Sequence, residues 1–174
     1  IDSTLPLIAM QAAEKKLQLR NETRGQPLPL AWADEMRVRQ VLINLLNNAV
    51  KFTPAGSITL RVRNVPATGA GEKSMPFPPM IRIEVEDTGS GIPADMRDKV
   101  FGEFVQLGEP STQKMRGAGL GLAISRRLVG LMGGVIALEA GPGGRGTLAW
   151  FTLPQAQAAG TARDSRGPRT DART

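Results

Sequence analysis

Apolar residues recur along this chain with a helical period in some stretches and a strand period in others. Residues 2–16 predict a helix. Asp2, Ser3 or Thr4 caps it, Pro6 is tolerated in a first turn, and Leu7, Met10, Ala13 and Leu17 give one apolar face. Leu17-Gln18-Leu19-Arg20 alternates and predicts a short strand, and residues 25–29 are a break. Asp34 is placed to cap a second helix whose core face carries Val38, Leu42, Leu45, Ala49 and Thr53. That helix must end before Pro54, because a residue preceding proline is pushed out of the helical region.

Ile58, Leu60 and Val62 alternate with Thr59, Arg61 and Arg63, which predicts a half-buried strand over residues 56–65. Residues 80–87 form another, with Ile81, Ile83, Val85 and Asp87 on one face. An antiparallel hairpin is expected, joined by a Gly- and Pro-rich loop over residues 64–80 that is long for one. Ile92-Pro93-Ala94-Asp95 predicts the opening of a short helix towards Phe104, and residues 106–116 read as a polar loop. Residues 120–132 predict a helix with Leu122, Ile124, Leu128, Val129 and Leu131 as its apolar surface, stopped by Gly133-Gly134. Residues 135–140 and 147–153 predict strands around the turn of residues 141–146. Residues 155–174 hold almost nothing to bury and are expected to be a disordered tail or linker.

Composition narrows the class. The 174 residues, 41% of them hydrophobic, suit one domain with a real core, and no apolar run is long enough to span a bilayer. No signal peptide is visible, and a start at Ile1 without Met leads us to expect a fragment of a longer protein. With no cysteine, disulfides and thiolate metal sites are excluded, which fits a cytoplasmic domain. With no histidine, no imidazole nucleophile, base or metal ligand can come from this chain. The net charge is +6, of which the four arginines and two aspartates of the tail account for +2. The remaining +4 favours anionic ligands in general. It does not indicate nucleic acid, since the few aromatics form no stacking patches among Arg and Lys.

The candidate chemistry begins on the second helix. Asn44, Asn47, Asn48 and Lys51 fall within about one quadrant, opposite the apolar stripe. Asn is a poor helix former, and a merely solvated face is met more cheaply by Glu, Lys, Gln or Arg. A row of neutral oxygens beside one cation suits a magnesium ion carrying phosphates, although a polar exposed face would also read this way. Asp87-Thr88-Gly89-Ser90-Gly91 ends an apolar strand with an inward carboxylate, which needs a donor such as the exocyclic amine of adenine. Gly117-Ala118-Gly119-Leu120-Gly121-Leu122 opens a helix, where free amides and the helix dipole attract phosphate. A third glycine cluster, residues 141–147, enters the last strand. Each of the three is weak alone.

In order and spacing together, these stretches closely resemble the catalytic, ATP-binding domain of bacterial sensor histidine kinases. Residues 44–53 match the N box and residues 87–91 the D-x-G-x-G box. Phe101-Gly102-Glu103-Phe104 matches the F box, and residues 117–122 and 144–147 match the later glycine boxes. The resemblance covers roughly residues 2–154. It implies an α/β (α+β) two-layer sandwich, the Bergerat ATP-binding fold. In it a mixed, mainly antiparallel sheet of about five strands is covered on one face by three helices, with ATP on the helical side.

The resemblance also implies roles. Asn48 would be the magnesium ligand, with Asn44 and Lys51 near the phosphates, and these three would be the catalytic set. Asp87 would accept from adenine, Gly89 and Gly91 would border the ring with Ile92, and Thr147 would join a water-mediated contact to the base. Phe104, Gly117, Gly119, Leu120, Gly121 and Leu122 complete the expected nucleotide site. Residues 105–116 would be a mobile lid, with Lys114 and Arg116 contacting phosphate. Asn47 is expected to be a solvated neighbour.

Asn44 stands where DNA gyrase, mismatch-repair ATPases and the heat-shock ATPase chaperone carry a Glu that activates water. An amide cannot accept a proton at neutral pH, so ATP should be held with little hydrolysis. Its γ-phosphoryl group would go to a histidine on a separate dimerising helical domain absent from this chain. The expected partners are therefore Mg2+ and ATP, that domain, and a response regulator reached through the full-length kinase, with the isolated domain monomeric. Two alternatives stand beside this reading: a nucleotide-binding regulatory module without transfer activity, and a serine kinase or anti-sigma factor on the same fold.

Overall fold

The computed structural model describes residues 4–25, 27–65, 79–106 and 119–156. The architecture is built on the second helix. Helix α1 spans Leu5–Glu14, strand β1 Gln18–Asn21, helix α2 Glu35–Phe52, strand β2 Ser57–Val65 and strand β3 Met80–Asp87. Helix α3 spans Gly121–Leu131, strand β4 Ile136–Ala140 and strand β5 Thr147–Pro154. The strands form one sheet in the order β1-β2-β3-β5-β4. β1 runs parallel to β2, and the other neighbours are antiparallel. The expected hairpin is present, with Ile58 opposite Asp87 and Val65 opposite Met80. The mixed, mainly antiparallel sheet under three α-helices is borne out.

Helix α2 begins where its sequence says. Asp34 is the N-cap and accepts from the Arg37 amide at 3.2 Å, and Glu35 sits in the first turn facing the positive end of the helix dipole. The helix stops at Phe52, before Pro54. Lys15, just past α1, donates its ammonium to the carbonyls of Val50 at 2.8 Å and Lys51 at 3.2 Å. A cation on otherwise unpaired C-terminal carbonyls braces α2 against α1.

One face of the sheet is dry. Ile58, Leu60, Ile81, Ile83, Val85, Leu138, Ala149, Phe151 and Leu153 point into a core completed by Val41, Leu42, Leu45 and Leu46 of α2 and Val129 of α3. The opposite face carries paired charges. Arg61 bridges Glu22 and Glu86, and buried Glu84 lies 3.1 Å from Arg63 and 2.9 Å from Arg82. Arg82 in turn lies over the Trp150 ring at 4.1 Å. A buried carboxylate persists only when paired in this way.

Four expectations are corrected. Helix α1 turns Leu5, Ile8 and Ala12 inward, while Leu7 and Met10 are exposed. Its sequence is apolar on more than one stripe, and the stripe three residues apart from Leu5 wins. Residues 92–104 form two 3-10 turns, Ala94–Met96 and Lys99–Phe101, instead of an α-helix. On α3 the inward row is Leu122, Ser125 and Val129, and Ile124 and Leu131 are exposed. The chain also stays in the fold past Pro154: Gln155 donates to the Pro79 carbonyl and Ala156 to that of Leu30, each at 2.8 Å. The remainder of the expected tail lies outside the described residues.

Candidate functional site

Between α2 and the mouth of the sheet lies a cavity of about 360 Å³. That is within the roughly 300–1,000 Å³ usual for small-molecule sites. Its walls are largely apolar: Leu45, Ala49 and Phe52 come from α2, Val85, Leu138 and Ala149 from the sheet, and Leu122 from α3. Its polar groups are few and converge from three elements. Asn48 comes from α2, Asp87 from the end of β3 and Thr147 from the start of β5. Ser90, Gly91, Ile92 and Pro93 close the rim. Apolar walls with a few fixed polar groups are the general form of a site for a flat, partly polar ligand.

Asp87 is the dominant electrostatic feature. It is 7% exposed, and its Oδ1 accepts from the amides of Gly89 at 2.8 Å and Thr147 at 3.3 Å. Burial pushes its carboxyl above the ordinary value, and the two amides oppose that shift without cancelling it. The backbone around it is built from close approaches. Gly146 has φ +70°, and a Cβ there would overlap the Asp87 carbonyl oxygen. Gly91 has φ +73°, and its Cβ would lie 3.0 Å from the Gly146 carbonyl oxygen. Gly146 is required twice over, for conformation and for space, and at Gly91 the positive φ is joined by a tight contact.

The asparagine face of α2 is half-buried along its length. Asn44 donates from Nδ2 to Ser125 Oγ of α3 at 3.0 Å. Gly121, the first residue of α3, lies so close that a Cβ there would overlap the Asn44 side chain. Lys51 holds its ammonium 5.0 Å from the centre of the Phe52 ring. Asn47 is half-buried, and its Oδ1 is buried with no hydrogen-bond partner among the described residues.

The structure gathers Asn48, Asp87, Gly91, Ile92, Leu122 and Thr147 into the cavity wall. Asn44, Lys51, Gly89, Phe104, Gly119, Leu120 and Gly121 are not among its lining residues. Gly89 is bonded to Asp87, and Gly121 abuts Asn44. Phe104 is 70% exposed, has φ +63° and donates its amide to the Gly119 carbonyl at 3.2 Å. Lys114, Arg116 and Gly117, with most of the expected lid, lie outside the described residues. Sequence reasoning missed the walls, Leu45, Ala49, Val85, Leu138 and Ala149, because each reads as ordinary core. It also missed Ser125, whose signal is a hydroxyl in the otherwise apolar inward row of α3.

Residues 33–157 match the model of the "Histidine kinase-, DNA gyrase B-, and HSP90-like ATPase" family. The chain belongs to this family. Among curated relatives, it is 44% identical over 124 residues to the sensor histidine kinase AruS of Pseudomonas aeruginosa, covering 71% of this chain and 12% of that protein. It is 43% identical over 153 residues to the aerobic respiration control sensor protein ArcB of Escherichia coli K12, covering 84% of this chain and 17% of that protein. The chain thus spans less than a fifth of the length of either. Full-length ShkA, solved with AMPPNP, superposes with a TM-score of 0.70 at 37% identity, over 90% of this chain and 29% of that one. The catalytic domain of histidine kinase ThkA, solved without nucleotide, superposes with a TM-score of 0.69 at 26% identity, over 88% of this chain and 90% of that one. As a member of the family, the chain has its layered fold, and the described cavity lies between α2, the sheet and α3. Among the described residues, no helix is long and apolar enough to cross a membrane.

Proposed function

We propose that this chain is the ATP-binding catalytic domain of a two-component sensor histidine kinase. It holds Mg-ATP for transfer of the γ-phosphoryl group to a histidine on a dimerisation domain outside the chain. The observation that carries this reading is Asp87, a buried carboxylate at the wall of a 360 Å³ apolar cavity in a chain akin to sensor kinases. The AMPPNP in the ShkA structure supports the choice of nucleotide.

The residues present fit the ligand. A base with an exocyclic amine satisfies Asp87, while Leu45, Ala49, Val85 and Ala149 cover its faces. Asn48 stands in the same wall and supplies an amide oxygen suited to Mg2+. Among the described residues no group of three or more acidic, histidine or cysteine side chains could hold a metal ion, so a magnesium ion at Asn48 would depend on the nucleotide's own oxygens. The bound metal supplies charge neutralisation for the phosphates. Lys51 adds a cation at the same end, and Asn44 offers an amide where a hydrolytic relative has a base. Gly89 and Thr147 hold Asp87 in place through their amides. Lys114 and Arg116 are assigned to phosphate contact, and a response regulator is the downstream partner of the full-length protein.

The test has two parts. Titration calorimetry on this chain should show Mg-ATP binding. Adding the histidine-bearing domain of the same protein should produce acid-labile phosphate on that partner, and Asn48→Ala should abolish it. Binding without any transfer to the partner domain would sink the kinase reading and leave a nucleotide-binding module.

A further inference from the structure

We propose that Ser125 is a positioning residue for the magnesium-phosphate end of the site, acting through Asn44, and that Gly121 is glycine to make room for that same amide. The proposal rests on the Mg-ATP reading above. Ser125 is 2% exposed on the inward row of α3. A hydroxyl buried there is costly unless bonded. Its partner is Asn44 Nδ2, 3.0 Å away on α2. On the other side, Asn44 Oδ1 is the atom that a Cβ on Gly121 would overlap. The amide is therefore held by a directional bond at one end and a backbone wall at the other.

That clamp decides what Asn44 presents. With Nδ2 committed to Ser125, the carbonyl oxygen is kept on the side of the first turn of α3. Asn48 lies one turn further along α2, in the cavity wall, and Leu122 of that same first turn of α3 also lines the cavity. Removing the Ser125 hydroxyl frees the amide to rotate, so that a donor can stand where an acceptor was. A glycine box at a helix start is ordinarily read as a phosphate cradle. At Gly121 the close approach is to a side chain of α2, and this accounts for the missing Cβ. Ser125 and Gly121 thus belong to the N-box asparagine, although they lie on a different helix.

The experiment is calorimetry on the 174-residue chain with AMPPNP, once with Mg2+ and once with EDTA. Ser125→Ala should lower affinity for the magnesium form by roughly three- to ten-fold, the range expected for one neutral hydrogen bond. Affinity in EDTA should not change. Gly121→Ala should reproduce the magnesium-dependent loss by displacing Asn44 from the other side. In an Asn44→Ala background neither substitution should weaken binding further. Equal losses with and without Mg2+, or losses that add to that of Asn44→Ala, would overturn the proposal and leave Ser125 a structural hydroxyl. If Ser125→Ala does not fold, Gly121→Ala and its suppression by Asn44→Ala decide the matter alone. An unmodified chain that binds no nucleotide would instead remove the reading beneath.

Discussion

Asp87→Asn separates binding from stability, because the proposed contact with adenine and the burial of the carboxylate pull in opposite directions. Asn keeps an oxygen that can go on accepting from the Gly89 and Thr147 amides. What changes is the other terminal atom, which turns from acceptor to donor, and the charge. A hydrogen bond to a charged acceptor contributes about 1.5–3 kcal/mol, so binding of adenine nucleotides should weaken roughly 10- to 150-fold. Since the proposed contact is to the base, the same factor is expected for adenosine, ADP and Mg-ATP in titration calorimetry. A loss confined to the triphosphate, or no loss, would refute the placement of adenine at Asp87.

Stability should move the other way. Burial raises the folded-state pKa of Asp87 above its unfolded value, so the protonated form is the one that folding favours. That contribution is full below the unfolded value and is lost as pH rises through the raised folded one. At a pH above that raised value the folded protein carries the ionised, disfavoured form. Asn is a neutral mimic of the protonated acid, so ligand-free Asp87→Asn should unfold at the same or a higher temperature than the parent at pH 7. The difference should shrink as the pH falls to the carboxylate range. A lower Tm at pH 7 would show that the charge strengthens the hydrogen bonds to this side chain by more than its desolvation costs.

Three further outcomes follow from other parts of the molecule. Gly146→Ala meets both a positive φ and the Asp87 carbonyl, so it should cost at least about 2 kcal/mol and lower Tm by roughly 5 °C or more in differential scanning calorimetry. Asp34→Ala removes the α2 cap and should cost about 1 kcal/mol, with a Tm fall of roughly 2–4 °C and nucleotide affinity unchanged. The unmodified chain incubated with Mg-ATP should gain no acid-labile phosphate, since it contains no histidine, and should release phosphate only slowly. Rapid turnover in a coupled phosphate assay would contradict the role given to Asn44.

The sheet was legible where alternation is strict. Ile81, Ile83 and Val85 against Arg82, Glu84 and Glu86 state both faces of β3. Helix α1 was not, because Leu5, Ile8 and Ala12 compete with Leu7, Met10 and Ala13 for the core, and only the partner surface on α2 chooses. The parallel pairing of β1 with β2 is equally silent in sequence, since register there is set by residues some forty apart. Asp87 was legible because a carboxylate ending an apolar strand violates the pattern it completes. The cavity walls were hidden for the converse reason: Leu45, Ala49 and Val85 satisfy the core pattern whether or not a ligand covers them.

That concealment has a physical cause in how the site is held. Ser90 donates to the Phe52 carbonyl at 3.4 Å, which ties the end of α2 to the loop after Asp87. Gly146 abuts the Asp87 carbonyl, and Gly91 abuts Gly146, so that loop also leans on the turn before β5. Ser125 ties Asn44 to α3. Segments that read as separate glycine- or asparagine-rich boxes are thus each other's packing partners. Their small residues record close backbone approaches as much as ligand contacts. A box residue substituted for its presumed role towards nucleotide therefore disturbs its neighbour box as well. Double substitutions across boxes, such as Gly121 with Asn44, are needed to tell a ligand contact from a contact that holds the site together.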